Sequence, residues 1–458
     1  MNKNINGIRV RRVVLATGLA LAMGGTALPS LAGDGEEIKL LKQQLEMMQR
    51  RLDQLEKQQT AAPQPAAAVA PAASSGAALS AGSSKNSVKF PSGTELSWGG
   101  YAKLDAIYNS VSAGGSNNAL NQVYVAGAIP LSNAENGRKG QLSMSGRESR
   151  LWFKTMTPTP LGEATAHVEF DLYGTADDER TGNGNNLRTR HAYGTLGNLL
   201  AGQTWSTFLN LASVAETADL DGPASVILVR QAQVRYTMPF DGGNFQFAAE
   251  NPESTLTAIG TVAGTAAGGR VMPSSDAAPD LIGRVNLMRD WGTVSFAAMA
   301  RQLRADGVVA GVSDSKWGGG MNVAGMIKLA GKDNFKFNAT YGNTVGRYMG
   351  LNATNDGTIN TAGKINTVST WGGYAAVQHW WTPTLRSNWA LSTIRASNPS
   401  ELAAVAYNKS IWSSHLNLMW SATPSTTFAA EWLRANRKLE NGLTGDLDRL
   451  QFSGKYEF

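Results

Sequence analysis

The chain has 458 residues, with 41 Lys and Arg against 35 Asp and Glu, and no cysteine. The absence of cysteine excludes disulfides and thiolate metal sites. From Thr94 onward no run reaches 18 continuous apolar residues, which excludes a membrane-spanning helix there.

The N-terminus reads as a secretory signal peptide over residues 1–32. Lys3, Arg9, Arg11 and Arg12 precede the apolar run VVLATGLALAM, and small residues lead to Ala32. Gly24, Gly25 and Pro29 interrupt the stretch, against a membrane anchor. Removing those four basic residues leaves 37 basic against 35 acidic. The pI near 9.3 therefore carries no argument for a nucleic-acid partner.

Residues 33–59 predict a short coiled coil. Ile38, Leu41, Leu45, Met48, Leu52 and Leu55 are spaced alternately three and four apart, the seam of a heptad repeat. Glu37 with Lys42 and Arg51 with Glu56 would pair favourably between parallel identical helices. Three heptads are marginal alone, so they suit a clamp on something already oligomeric. The alternative is a helix packed on its own chain. Residues 60–93 follow, and up to Ser87 they are nearly all Ala, Ser, Gly and Pro, the composition of a tether.

Residues 94–458 predict an all-β transmembrane barrel of about 16 antiparallel strands. The alternating stretches lie near 94–112, 142–157, 160–174, 187–197, 199–206, 226–238, 244–258, 281–291, 293–304, 318–331, 334–348, 368–382, 384–396, 410–423, 425–437 and 446–458. Short connectors, such as Thr157-Pro158-Thr159, Gly197-Asn198 and Trp291-Gly292, alternate with long ones near 113–141, 175–186, 207–225, 259–280, 305–317, 349–367, 397–409 and 438–445. Ala166, Val168 and Phe170 alternate with His167, Glu169 and Asp171, giving one apolar and one polar face. A soluble sandwich shows the same alternation, but so many strands in one antiparallel run fit closure better. The chain ends on an amphipathic strand, with Leu450, Phe452, Tyr456 and Phe458 on one face and Arg449, Gln451, Lys455 and Glu457 on the other. It resembles the closing strand of a bacterial outer-membrane barrel, and must pair with the strand near Thr94 to remove both edges.

Catalysis has no support. No G-x-S-x-G elbow, H-E-x-x-H or Walker loop is present, and His167, His191, His379 and His415 are scattered over different predicted strands. Attention passes to the lumen. Alternation places Arg150, Lys154, Arg188, Arg190, Arg235, Arg284 and Arg301 on inward faces, with Gln231 and Gln233. Basic side chains on a narrow lumen attract anions, and guanidinium forks suit carboxylate or phosphate. The third long connector, 206–225, carries Glu216, Asp219 and Asp221. The alternative role for the basic residues is to satisfy Glu148, Glu169, Asp171 and those loop acids. Both can hold, since opposed rows create a transverse field.

The segments SGRESRLWFKTMTPTPLGEATAHVEFDLYG, LRTRHAYGTLGNLLAGQTWSTFLN and FQFAAENPEST, with the coiled coil and tether, resemble the DcaP-like porins. The resemblance implies a homotrimeric outer-membrane channel of a Gram-negative bacterium, passing small hydrophilic solutes with a preference for anions such as dicarboxylates. It places 206–225 as an inward-folded constriction loop, and the N-terminal helix in the periplasm. Phosphate-selective porins share the plan, so phosphate competes as the solute. No cofactor, metal or enzymatic activity is expected. A surface adhesin or structural anchor with a non-conducting barrel is the alternative. Outer-membrane lipid and a periplasmic or cell-wall contact through the coiled coil complete the expected partners.

Overall fold

The computed structural model describes residues 80–81, 86–111, 122–131, 139–174 and 184–458. The signal peptide, the coiled-coil seam and most of the tether lie outside the described residues.

Sixteen strands run antiparallel, each bonded to its neighbours. They are β1 (Glu95–Val111), β2 (Lys139–Ser145 continued by Arg150–Thr159), β3 (Gly162–Asp171), β4 (Arg188–Leu196), β5 (Leu199–Trp205) and β6 (Arg230–Phe240). Next come β7 (Gly243–Glu250), β8 (Asp280–Arg289), β9 (Gly292–Val309), β10 (Val312–Lys328) and β11 (Asn334–Gly342). The last are β12 (Ser369–Trp380), β13 (Leu385–Ser397), β14 (Asn408–Thr423), β15 (Thr426–Leu439) and β16 (Thr444–Glu457). β16 pairs back onto β1, from Arg449 opposite Asn109 to Glu457 opposite Tyr101, and the sheet closes. Closure satisfies every edge, which a sheet in hydrocarbon requires.

The burial pattern is inverted relative to a soluble fold. Lys103, Asp105, Arg190, Asn338, Glu431 and Arg449 are buried inside, while Leu104, Phe247, Leu391, Leu418 and Phe452 stand exposed outside. An apolar outer wall of this extent would drive a soluble protein to aggregate; in a bilayer it is the solvated surface.

Each predicted strand corresponds to an observed one, and two of the long connectors do not exist as loops. In place of a loop at 305–317, β9 and β10 run on to a turn at Ala310 and Gly311. The Ala-Asp-Gly sequence reads as loop, but Gly307 takes a positive φ within a bulge between Asp306 and Val309, and pairing resumes at Val309 and Val312. Likewise 438–445 tightens to a four-residue turn around Asn441-Gly442. Pro158 lies within β2 rather than in a turn, opposite Glu163.

Part of the predicted tether is structured. Ser87–Lys89 pairs with Glu95–Ser97 of β1, and Ser80–Ala81 pairs with Val88 and Lys89. The hairpin occupies the β1 edge below Phe458, where β16 has ended and Phe458 exchanges backbone hydrogen bonds with Gly100.

At the long-loop end, Leu256–Ile259, Arg270–Val271, Gly357–Asn360 and Ile365–Thr367 form a separate small sheet. Its core, Leu256, Ala258 and Ile359, packs on Leu303 and Ala305 of the long β9–β10 hairpin. A second apolar cluster lies inside the barrel, where Ile129, Phe208, Leu209, Ile227, Tyr348 and Met349 from three infolded connections meet inward Ile282, Met299 and Leu433.

Candidate functional site: the lumen and its infolded loop

The connection from Ser206 to Val229 enters the barrel and is held along the inner wall. Asn210 donates to Ser295 Oγ and Ala324 O, Lys336 to Val214 O at 2.8 Å, and Ser213 meets the Tyr374 hydroxyl. Further along, Glu431 accepts from the Ala218 N–H, and the Ser413 and Ser392 hydroxyls accept from Ala224 and Ser225. The Ala218 carbonyl accepts from both Lys103 on β1 and Gln451 on β16, each at 2.9 Å, so the loop bridges the closing seam.

The loop acids are consumed by this attachment. Glu216 takes both arms of the Arg386 guanidinium, with Nε at 2.8 Å, and also accepts from Gln378. Burial alone would raise the Glu216 carboxyl, but the Arg386 hydrogen bond and charge outweigh it and hold the group below its ordinary value. Asp219 pairs with Arg449, both fully buried. Asp221 goes the other way: burial first, then the Asp219 charge, push its carboxyl well above the usual range. Its Oδ2 has no hydrogen-bond partner among the described residues. Glu216 and Asp219 are thus paired with guanidiniums, and Asp221 has no basic partner within 4 Å among the described residues.

The lumen-side cavity lies against the strands from β3 to β9 and the first residues of the loop. It measures about 530 Å³ and is lined by His167, His191, Tyr193, Trp205, Arg235 and Arg284, with Leu209 to Ala212 on the loop side. The sequence scatters the histidines, but antiparallel pairing of β3 with β4 brings His167 and His191 to 5.8 Å between rings. No group of three metal-ligating side chains occurs among the described residues.

The inward basic residues divide into paired and unpaired. Arg188 forks onto Asp171 at 2.9 and 2.6 Å, and Arg190 bridges Glu169 and Asp171 at 2.6 and 2.8 Å. Arg190 is the extra residue of a bulge opposite Glu169 and Phe170, which lets Arg190 and His191 both face inward. Arg150 lies 3.7 Å from Glu169 and stacks over Tyr101. Arg301 departs from the pore-lining expectation. It is fully buried between Asp280 at 3.2 Å and Asp356 at 2.6 Å, and it ties the 343–368 connection to the wall.

Arg235, Arg284 and Lys154 have no carboxylate within 4 Å among the described residues. Arg284 donates instead to Leu209 O and Gln246 Oε1, and Lys154 is exposed opposite Ser97 and His167. Arg230 joins this set: it lies over the Trp205 ring at 4.5 Å and, among the described residues, has no acid partner. Alternation misses it because Gln231 takes the inward position and Arg230 opens the strand. Arg386 and Arg449, which hold the loop, do fall on the inward parity of their strands; no local signal says which acid each would meet.

Residues 34–458 match the family described as DcaP outer membrane protein. The chain belongs to that family. The outer membrane channel DcaP of Acinetobacter baumannii superposes with a TM-score of 0.67 at 20% identity, covering 81% of this chain and 99% of that one. OmpT of Vibrio cholerae in its trimer form gives 0.50 at 8% identity, over 80% and 99% of the two chains. The anion-selective porin from Comamonas acidovorans gives 0.47 at 13% identity, over 80% and 100%. No curated protein matches by sequence. The chain is thus an outer-membrane porin, and its family and fold are those of channels rather than enzymes.

Proposed function

We propose that this DcaP-family porin passes small hydrophilic anions, dicarboxylates among them, by diffusion along the wall between β3 and β8. One observation carries the reading: Arg235 and Arg284 line the cavity without carboxylate partners, while Glu216 and Asp219 of the loop are paired with Arg386 and Arg449. A net positive wall in a confined aqueous space concentrates anions, and separated guanidiniums suit a solute with two carboxylates. The paired row of Arg188 and Arg190 with Glu169 and Asp171 adds a dipole across the strand without changing the sign.

The functional unit is a homotrimer in this reading. On β3 to β5 the outward Ala166, Gly194 and Ala201 form one register row of small residues, whereas β13 to β16 present Leu, Phe and Trp. A row of small residues admits close approach of a second copy. The N-terminal heptads would clamp that trimer from the periplasm, where the short turns of such barrels lie.

Planar-bilayer conductance under a KCl gradient tests the selectivity. The expected reversal potential is that of an anion-preferring pore, with succinate as a concentration-dependent blocker. A cation-selective current overturns the proposal, and absence of steady conductance favours the anchor alternative.

A further inference from the structure

The outer face of β13 to β16 carries a feature that permeation does not use. Ala430 stands in register between Leu418 and Phe452, and its small side chain leaves a dent in an otherwise bulky wall. With Leu416, Trp432 and Leu450 it forms an apolar groove of about 570 Å³ on the hydrocarbon side.

Above the groove, toward the long-loop end, three outward rows follow in register. The first is Ser414, Arg434 and Asp448, with Arg434 paired to Asp448 at 3.1 Å. The second is Trp412, Asn436 and Asp446, with the Asn436 amide donating to Asp446 at 3.0 Å. The third is Arg395, Ser410 and Lys438. Arg395 and Lys438 are exposed and have no ion pair among the described residues. They sit two strands apart, about 10 Å between backbones, within reach of one anion between them.

The order along the wall is therefore apolar groove, hydrogen-bonding rows with an indole, then two uncompensated cations. From Trp432 to Lys438 the strand rises roughly 20 Å. A glycerophospholipid places its phosphate directly beyond its acyl chains, at the Arg434 row, where Asp448 already neutralises the cation. A lipid with a sugar head places hydroxyls there and can carry a phosphate farther out. Carboxylates and amides bind sugar hydroxyls, an indole face packs on a sugar ring, and Arg with Lys binds phosphate.

We propose that this face binds an outer-leaflet lipid with a phosphorylated saccharide head, its acyl chains in the Ala430 groove and its phosphate between Arg395 and Lys438. The test is native mass spectrometry of the full-length protein, delipidated and titrated with bisphosphorylated lipid A, dephosphorylated lipid A or phosphatidylglycerol. Lipid A is expected to bind on the order of tenfold more tightly than its dephosphorylated form, and R395Q/K438Q to remove most of that difference. Unchanged heat-modifiable migration of the variant verifies its barrel, and the dephosphorylated lipid tests the phosphate requirement on the unaltered protein. Equal binding of lipid A with and without phosphate, equal binding by the variant, or phosphatidylglycerol binding as tightly as lipid A each overturns the proposal. Displacement by millimolar inorganic phosphate also overturns it, since that would make the site one for free anions.

Discussion

At the residue scale, what separates one lumen arginine from another is its partner. Arg188, Arg190 and Arg301 are committed to carboxylates, so they hold the wall together; Arg235 and Arg284 line the cavity with no carboxylate partner among the described residues. R235Q/R284Q is expected to lower the anion-to-cation permeability ratio several-fold with little change in single-channel conductance, read from reversal potentials. R188Q leaves Asp171 paired with Arg190 and should shift selectivity less. Alternation places all of these arginines inward together, because parity reports a side chain's face and not its neighbour across the sheet. The Arg190 bulge shows the same limit, since inserting one residue turns two consecutive side chains inward and no local pattern marks it.

At the element scale, the infolded 206–229 loop depends on ionised wall contacts. Glu216 titrates below its ordinary 4.5, so its pair with Arg386 is intact above that value and is lost as pH falls through the lower, folded value. Current noise from a loosened loop should therefore stay low down to the ordinary carboxylate range and rise only as the pH is taken below it. E216Q should be noisy across the whole range. Arg301 performs the same service for the 343–368 connection, where it sits between Asp280 and Asp356. R301M leaves buried Asp356 without its cation and Asp280 with Arg347 alone, and should cost about 3–5 kcal/mol locally. Limited proteolysis of intact cells, with faster cleavage within 343–368, checks it. The sequence shows both connections as long; their inward path depends on side chains distant in the chain, Arg386 and Arg449 for the first and Arg301 for the second.

At the scale of the whole molecule, fold legibility and site legibility part company. A period of two against a closed wall is a local signal repeated sixteen times, and the strands follow from it. The mistaken loops at 305–317 and 438–445 come from turn-forming Gly, Asp and Asn residues that serve a bulge or a tight turn instead. Which cations remain unpaired is a property of the closed barrel alone. The N-terminal heptads make a prediction at this scale: deleting residues 34–58 should lower the melting temperature of the trimer while leaving the barrel's heat-modifiable migration intact. An unchanged melting temperature would assign the helix to a wall or partner contact.

The Ala218 carbonyl, shared by Lys103 of the first strand and Gln451 of the last, is a link across the seam that does not run through the sheet. Both donors reach it together only when β16 lies beside β1. Asp219 with Arg449 and Glu431 with the Ala218 N–H fasten the same stretch of loop to β16 and β15. Parting β16 from β1 must therefore break a loop contact as well as the backbone ladder, so the loop braces the closed barrel from within.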